Sequence, residues 1–236
     1  MPSLLAINSC HGLNSSVYDA FLGFVSAERK RKAARFLRKE DACRCIVGEV
    51  LARYCIGQRE KVPIDSIAFK TSENGKPYCD LPGKTQFSIS HSKSWVVCAI
   101  DDQPIGVDVE HVHSVDFKIA ERFFSPEEFT GMLNLPETFR KDRFFDLWTL
   151  KESYIKAIGK GLSCPLDSFT IIFKRERIAL QTKKDLPEMF LKQYDLGPDY
   201  KCALCVSRND FPEKIEIMAP EELLNKVGAH RDAPNR

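Results

Sequence analysis

The sequence predicts an α+β protein: a pseudo-twofold pair of similar α/β halves, each a long helix against a small, mostly antiparallel sheet. Three observations predict it. Cys55-Ile-Gly-Gln-Arg-Glu-Lys-Val-Pro63-Ile-Asp-Ser-Ile67 recurs in outline as Ala157-Ile-Gly-Lys-Gly-Leu-Ser-Cys-Pro165-Leu-Asp-Ser-Phe169, with 57 and 159, 63 and 165, and 65 and 167 each 102 residues apart. Each copy follows a segment with helical spacing of apolar residues that reaches a glycine suited to a left-handed cap. Each copy then leads, through a proline-containing turn, into a short strand-like run. A second echo, Cys98-Ala-Ile100 against Cys202-Ala-Leu204, lies at nearly the same separation.

In chain order, Ser26 is a candidate N-cap, and Ala33, Phe36, Leu37, Ile46, Val47, Val50, Leu51 and Tyr54 carry helical spacing that closes before Gly57. Strands are expected over 66–70, 86–90 and 95–101, and Asp102-Asp-Gln-Pro104 is the turn between halves. The second half opens on a strand at 106–110. Its helix runs from about 143 to 158 through Phe144, Leu147, Trp148, Leu150 and Ile155, and strands follow at 168–174, 177–181 and 200–206. The expected division is 1–103, 104–210 and a polar tail, 211–236, whose last residues, 231–236, read as disordered.

A chain of 236 residues can bury a sizeable core, and 43% hydrophobic with 29% charged residues describes a soluble globular protein. A net charge of +2 is too small to argue for nucleic acid or an anionic membrane. No basic, apolar leader and no run approaching ~20 apolar residues is present, so neither signal peptide nor membrane span is expected. Most of the nine cysteines sit in apolar stretches. Cys202-Ala-Leu-Cys205 has a zinc-like spacing, but one pair is half of a structural site and it lies in a strand-like run. Reduced thiols in a cytoplasmic protein are the expectation.

Two segments carry the chemistry. Gly106-Val-Asp108-Val-Glu110 puts two carboxylates on one face of a strand, because side chains alternate sides. Trp148-Thr-Leu-Lys151-Glu152-Ser-Tyr-Ile-Lys156 aligns Trp148, Glu152 and Lys156 along one helix stripe. Asp108, Glu110 and Glu152 offer hard oxygens for magnesium, with substrate phosphates and water completing its shell. Lys151 and Lys156 stand beside them to meet phosphate. Each segment has a plain alternative: a solvated edge strand, and an exposed helix face with an ordinary Glu-to-Lys pair. Phe87-Ser-Ile-Ser90-His91-Ser92 ends a strand with hydroxyls that can cradle phosphate or simply close a turn. Asn74-Gly75-Lys76-Pro77 is first a turn signal. Arg29-Lys-Arg-Lys32 spreads charge around a helix, so most of it must be solvated.

These motifs together resemble the surfactin-synthetase-activating type of 4′-phosphopantetheinyl transferase along nearly the whole chain. The resemblance rests on Gly75-Lys-Pro77, Phe87-Ser-Ile-Ser-His-Ser92, Ile105-Gly-Val-Asp-Val-Glu110, Arg122-Phe-Phe-Ser125, and Trp148-Thr-Leu-Lys-Glu-Ser153 with Lys156 and Gly159-Lys-Gly161. It implies transfer of the phosphopantetheine arm of coenzyme A, the co-substrate, to a serine of apo peptidyl or acyl carrier proteins, with release of 3′,5′-ADP.

Carried over residue by residue, the resemblance makes Asp108, Glu110 and Glu152 the magnesium ligands. Glu152, Lys156 and Glu128 become catalytic residues, with Glu152 the first candidate base and Glu128 the second. Lys151, Lys156 and His91 become phosphate contacts; Gly75, Lys76, Pro77 and Ser90 line the adenine side; Arg29 and Lys32 meet the 3′-phosphate. Three departures stand out: Cys45 replaces a frequent threonine, Ser88 an asparagine, and Arg29 a lysine, which alters geometry while keeping charge. A monomer is implied, and so is service in nonribosomal peptide and antibiotic biosynthesis, with polyketide, siderophore and fatty-acid carriers open. The competing readings are another magnesium-dependent phosphate-ester enzyme and a non-catalytic coenzyme A or carrier-protein binding module.

Overall fold

The computed structural model describes residues 1–9, 13–175, 177–182 and 185–231. In order these form β1 (Ser3–Asn8), α1 (Ser15–Leu22), α2 (Ala27–Ala33), α3 (Lys39–Glu60), β2 (Phe69–Thr71), β3 (Pro77–Cys79), β4 (Gln86–Ser92), β5 (Trp95–Asp101) and β6 (Ile105–His111). They continue as α4 (Lys118–Phe123), α5 (Pro126–Leu133), α6 (Glu137–Ile158), β7 (Phe169–Phe173), β8 (Ile178–Thr182), β9 (Phe190–Tyr194), β10 (Tyr200–Val206), β11 (Glu216–Met218) and α7 (Pro220–Arg231). Single 3₁₀ turns, Ile64–Ser66 and Leu166–Ser168, follow the two long helices at the repeated Pro-x-Asp-Ser.

The chain is α+β and divides into two compact units, one of residues 1–70, 77–102 and 212–236, the other of residues 71–76 and 103–211. The sheet of the first unit has the order β11-β1-β5-β4, antiparallel except that β1 and β11 run parallel. β5 is an interior strand with every residue buried, which explains its continuous apolar run. Ile46, Val47, Val50 and Leu51 of α3 share one core with Val96, Cys98 and Ile100 of β5.

The sheet of the second unit, β6-β10-β9-β8-β7, is antiparallel throughout. α6 packs on β6 and β10. Phe144, Leu147, Leu150, Tyr154, Phe169 and Cys205 are among its core residues.

Three expectations change. The helix expected to run on from Ser26 is two helices. Ser26 does cap α2, its hydroxyl accepting from Arg29 N–H, but the chain turns at Ala34 and restarts at Lys39, with Arg38 extended. The apolar spacing lapses between Leu37 and Ile46, Leu37 is fully exposed, and Glu40-Asp41 favour a new helix N-terminus.

α3 also runs past Gly57 to Glu60, where left-handed Lys61 ends it. Gly57 serves instead a close approach, since a Cβ there would lie 3.0 Å from Ile64 Cγ2.

The supposed tail is, in its described part, a working piece of the first unit. β11 pairs with β1, and Leu223 and Val227 of α7 enter the first core. Arg231 holds Asp65 with two bonds of 2.6 and 2.8 Å and donates to Gly23 O at 2.8 Å. So few buried positions in a polar stretch give almost no periodic signal. The disorder expected for 231–236 falls, beyond Arg231, outside the described residues.

Candidate functional site

A glycine brings the two chemical segments together. A Cβ on Gly106 would lie 2.0 Å from Ser153 O and 2.4 Å from Ala157 N, so the backbone of β6 rests directly on that of α6. Asp108, two residues on, shares the face of Gly106 and is buried. Lys156 of α6 donates from Nζ to Asp108 Oδ1 at 2.6 Å. Glu152, one turn earlier on α6, has its carboxyl pushed above the ordinary range, first by burial and then by the negative charge of Asp108, with Lys156 opposing. Asp108, Glu152 and Lys156 therefore form one electrostatic unit in which two carboxylates share one lysine.

Glu110 follows on the same strand face. It stands in register with Lys201 of β10, whose ammonium lies 3.6 Å from Asp142 and 3.5 Å from Asp146. Trp148, one turn before Glu152, stacks on Phe144 at 5.8 Å and meets Phe123 edge-on at 6.2 Å.

Among the described residues no three His, Cys, Asp or Glu converge closely enough to hold a metal as they stand. The expected triad is thus gathered only as the pair Asp108 and Glu152. The donor set nonetheless fits magnesium: hard oxygens that repel one another, in the number that this ion takes from protein when phosphates complete its shell. The sign of the Glu152 shift gives a stability test. A raised carboxyl makes the folded state prefer its protonated form, so stability is lost as pH rises from the ordinary carboxylate value through the raised one. Without ligand at pH 7.5, Glu152→Gln should raise Tm by roughly 1–3 °C, and the gain should vanish near pH 4.5; a lower Tm at neutral pH would contradict the charge crowding.

Lys151 and Glu128 are corrections. Lys151 is 0% exposed and donates to Leu166 O at 2.8 Å, Phe169 O at 2.7 Å and Glu128 Oε2 at 2.8 Å. Its three protons are used inside the protein, so it is no phosphate contact. Burial pushes its ammonium below the usual lysine range, with Glu128 opposing. Glu128 is buried too, and also accepts from Ser125 N–H at 2.8 Å and Ile171 N–H at 2.6 Å. With those donors around it, Glu128 is no base for an incoming hydroxyl. Its signal was visible as Ser125-Pro-Glu-Glu128, a capping box with proline at the first helical position.

Lys76 is held inside the second unit. Its Nζ donates to Ile105 O at 3.3 Å and Ala157 O at 3.2 Å, and burial lowers its pKa to about 8. Two of the three protons of its ammonium are thereby used inside the unit. Gly75, at φ 84°, makes the left-handed turn before β3, which Pro77 begins.

In the first unit, Ser90 is buried and His91 exposed on β4, an edge strand. Arg29 gives Nε to Glu49 at 2.8 Å, its Nη1 lies 3.5 Å from Cys45 Sγ, and Lys32 is exposed. Cys45 therefore sits against Arg29. The residue without an assigned role in the sequence was Gly106; a glycine inside a strand is the signal for a close backbone approach.

Residues 104–205 match the 4′-phosphopantetheinyl transferase superfamily model, and residues 14–103 match that for the N-terminal part of 4′-phosphopantetheinyl transferases. The chain is 41% identical over 214 residues to 4′-phosphopantetheinyl transferase Sfp of Bacillus subtilis (strain 168), covering 90% of this chain and 95% of the relative. It is 38% identical to 4′-phosphopantetheinyl transferase psf-1 of Bacillus pumilus, over 86% of this chain and 88% of that one. Of the solved structures, the Chronobacterium ammoniagenes ACPS–CoA complex matches 45% of this chain and 97% of its own, at 22% identity and a TM-score of 0.38. With 41% identity to Sfp over 90% of this chain and 95% of that relative, the chain belongs to the 4′-phosphopantetheinyl transferases.

Proposed function

We propose that this enzyme transfers the 4′-phosphopantetheine arm of coenzyme A to a serine of an apo peptidyl or acyl carrier protein, with magnesium as cofactor. The observation that carries the reading is the unit of Asp108, Glu152 and Lys156, two crowded carboxylates and one lysine. The serine oxygen forms a bond to the β-phosphorus, the bond from that phosphorus to the bridging oxygen breaks, and 3′,5′-ADP leaves. The serine proton goes to Glu152, directly or through a water. Lys156 balances negative charge on the phosphates. Asp108 and Glu152, with Glu110 beside them, would hold magnesium, which supplies further charge neutralisation at the pyrophosphate when bound.

Ser90 and His91 are assigned to the coenzyme, Gly75, Lys76 and Pro77 to its adenine side, and Arg29 and Lys32 to its 3′-phosphate. The eight described cysteines are free thiols, which fits the cytoplasm, and a single copy is taken to act alone. No helix among the described residues is long and apolar enough to cross a membrane.

The test is the intact mass of an apo carrier incubated with coenzyme A, magnesium and the protein. A gain of about 340 Da, the mass of the arm, is expected on the native carrier and none on one whose acceptor serine is alanine. No gain across several apo peptidyl and acyl carriers, with coenzyme A hydrolysed instead, would favour a phosphate-ester hydrolase and overturn the reading.

A further inference from the structure

We propose that Lys151 and Glu128 are a positioning pair, which sets the rotation of α6 and so presents Glu152 and Lys156 to Asp108; this rests on the reading of the site above. Position 151 lies about 100° around the helix from 152. Pinning it at three acceptors, two on the Leu166–Phe169 turn and one on α5, leaves α6 little freedom to turn. The ammonium also lies 4.3 Å from the centre of the Phe169 ring. Glu128 binds α5 and β7 to the same point through Ser125 N–H and Ile171 N–H.

The first unit repeats the tie as scaffolding. Glu49 occupies the place of Lys151, 102 residues earlier, and Arg29 stands three residues after the cap Ser26 as Glu128 does after Ser125. The pair recurs, half-buried, with its charges exchanged: Arg29 Nε on Glu49 at 2.8 Å, and Glu49 Oε1 accepting from Ser26 N–H at 2.8 Å. The bonds from Ser26, Arg29 and Arg53 hold the Glu49 carboxyl below the ordinary range against the effect of burial. Arg53 takes over the two carbonyls, Ile64 O at 2.9 Å and Ile67 O at 2.8 Å, which lie 102 residues before Leu166 and Phe169. What the two units share is a neutralised tie between long helix, short helix and 3₁₀ turn.

Three variants test the pair: Glu128→Gln, Lys151→Met, and both together. Lys151→Met alone strands a buried carboxylate and lowers Tm as well as activity. In the double variant the stranded charge is gone and part of the Tm loss returns, although the amide nitrogen must face Ser125 N–H or Ile171 N–H and Leu166 O and Phe169 O lose their ammonium donor. Both Glu128→Gln and the double variant are expected to lose about tenfold in kcat for carrier labelling, with KM for coenzyme A within about twofold of the wild type. A tenfold rise in KM at unchanged kcat would place Lys151 on the coenzyme and overturn the proposal. Full return of kcat in the double variant, whatever its Tm, would reduce the pair to a stability role and overturn it as well. If the wild type labels no carrier, the reading of function fails separately, and the pair is judged by the rise in Tm on adding magnesium: smaller in the double variant under positioning, equal to the wild type otherwise.

Discussion

Gly106→Ala should unmake the centre of the second unit. The added carbon would fall 2.0 Å from Ser153 O and 2.4 Å from Ala157 N, both backbone atoms of α6 that no rotamer change can move. α6 must lift from β6, which costs about 3 kcal/mol and lowers Tm by roughly 6–12 °C in a chain of this size. The same displacement carries Lys156 and Glu152 away from Asp108, so the folded fraction should label carriers at least ~100-fold more slowly. Gly131→Ala is the control: it lies in α5, a Cβ there meets nothing within 4 Å, and the change should leave Tm equal or slightly raised. A Gly106→Ala protein with wild-type Tm and activity would show that the two backbones do not touch.

Lys156→Met should cost more in catalysis than in stability. Lys156 is 29% exposed, but its loss leaves buried Asp108 beside Glu152 without a counter-charge and costs about 3 kcal/mol. On the proposed reading the same ammonium stands where the negative charge of the pyrophosphate gathers, and its loss should lower kcat by about 10³. Measured kcat and Tm separate the two effects. A fall in rate no larger than the fall in stability explains would remove Lys156 from the chemistry.

Much of this architecture was legible in the sequence, for definite reasons. The repeat at 57 and 159 marked two units because each long helix ends at a turn that the next helix or strand must pack against. β5, β6 and β10 were legible because their apolar runs are long and bounded by turn residues. The break between α2 and α3 was not, since no proline or glycine marks it; only the lapse in apolar spacing and the acidic Glu40-Asp41 do. β11 and α7 were missed because a three-residue strand and a helix with three buried residues in twelve give too short a pattern to read. At the site, Asp108, Glu152 and Lys156 were legible from alternation on a strand and spacing on a helix. Lys151 and Glu128 were assigned wrongly for one reason: a charge pattern does not reveal which charges are spent on each other inside the core. Ser125-Pro-Glu-Glu128 did announce the cap, but not that the same carboxylate reaches Lys151.

The central claim is that two crowded carboxylates and one lysine in the second unit make the transfer chemistry. Its most direct test is the intact mass of one apo carrier after reaction with coenzyme A and either wild-type protein or Glu152→Gln, with and without magnesium. The wild type should add the arm only with magnesium, and Glu152→Gln should add none at any magnesium concentration while melting at or above the wild-type temperature. Labelling by Glu152→Gln at the wild-type rate, or by the wild type equally well in the presence of a chelator, would contradict it.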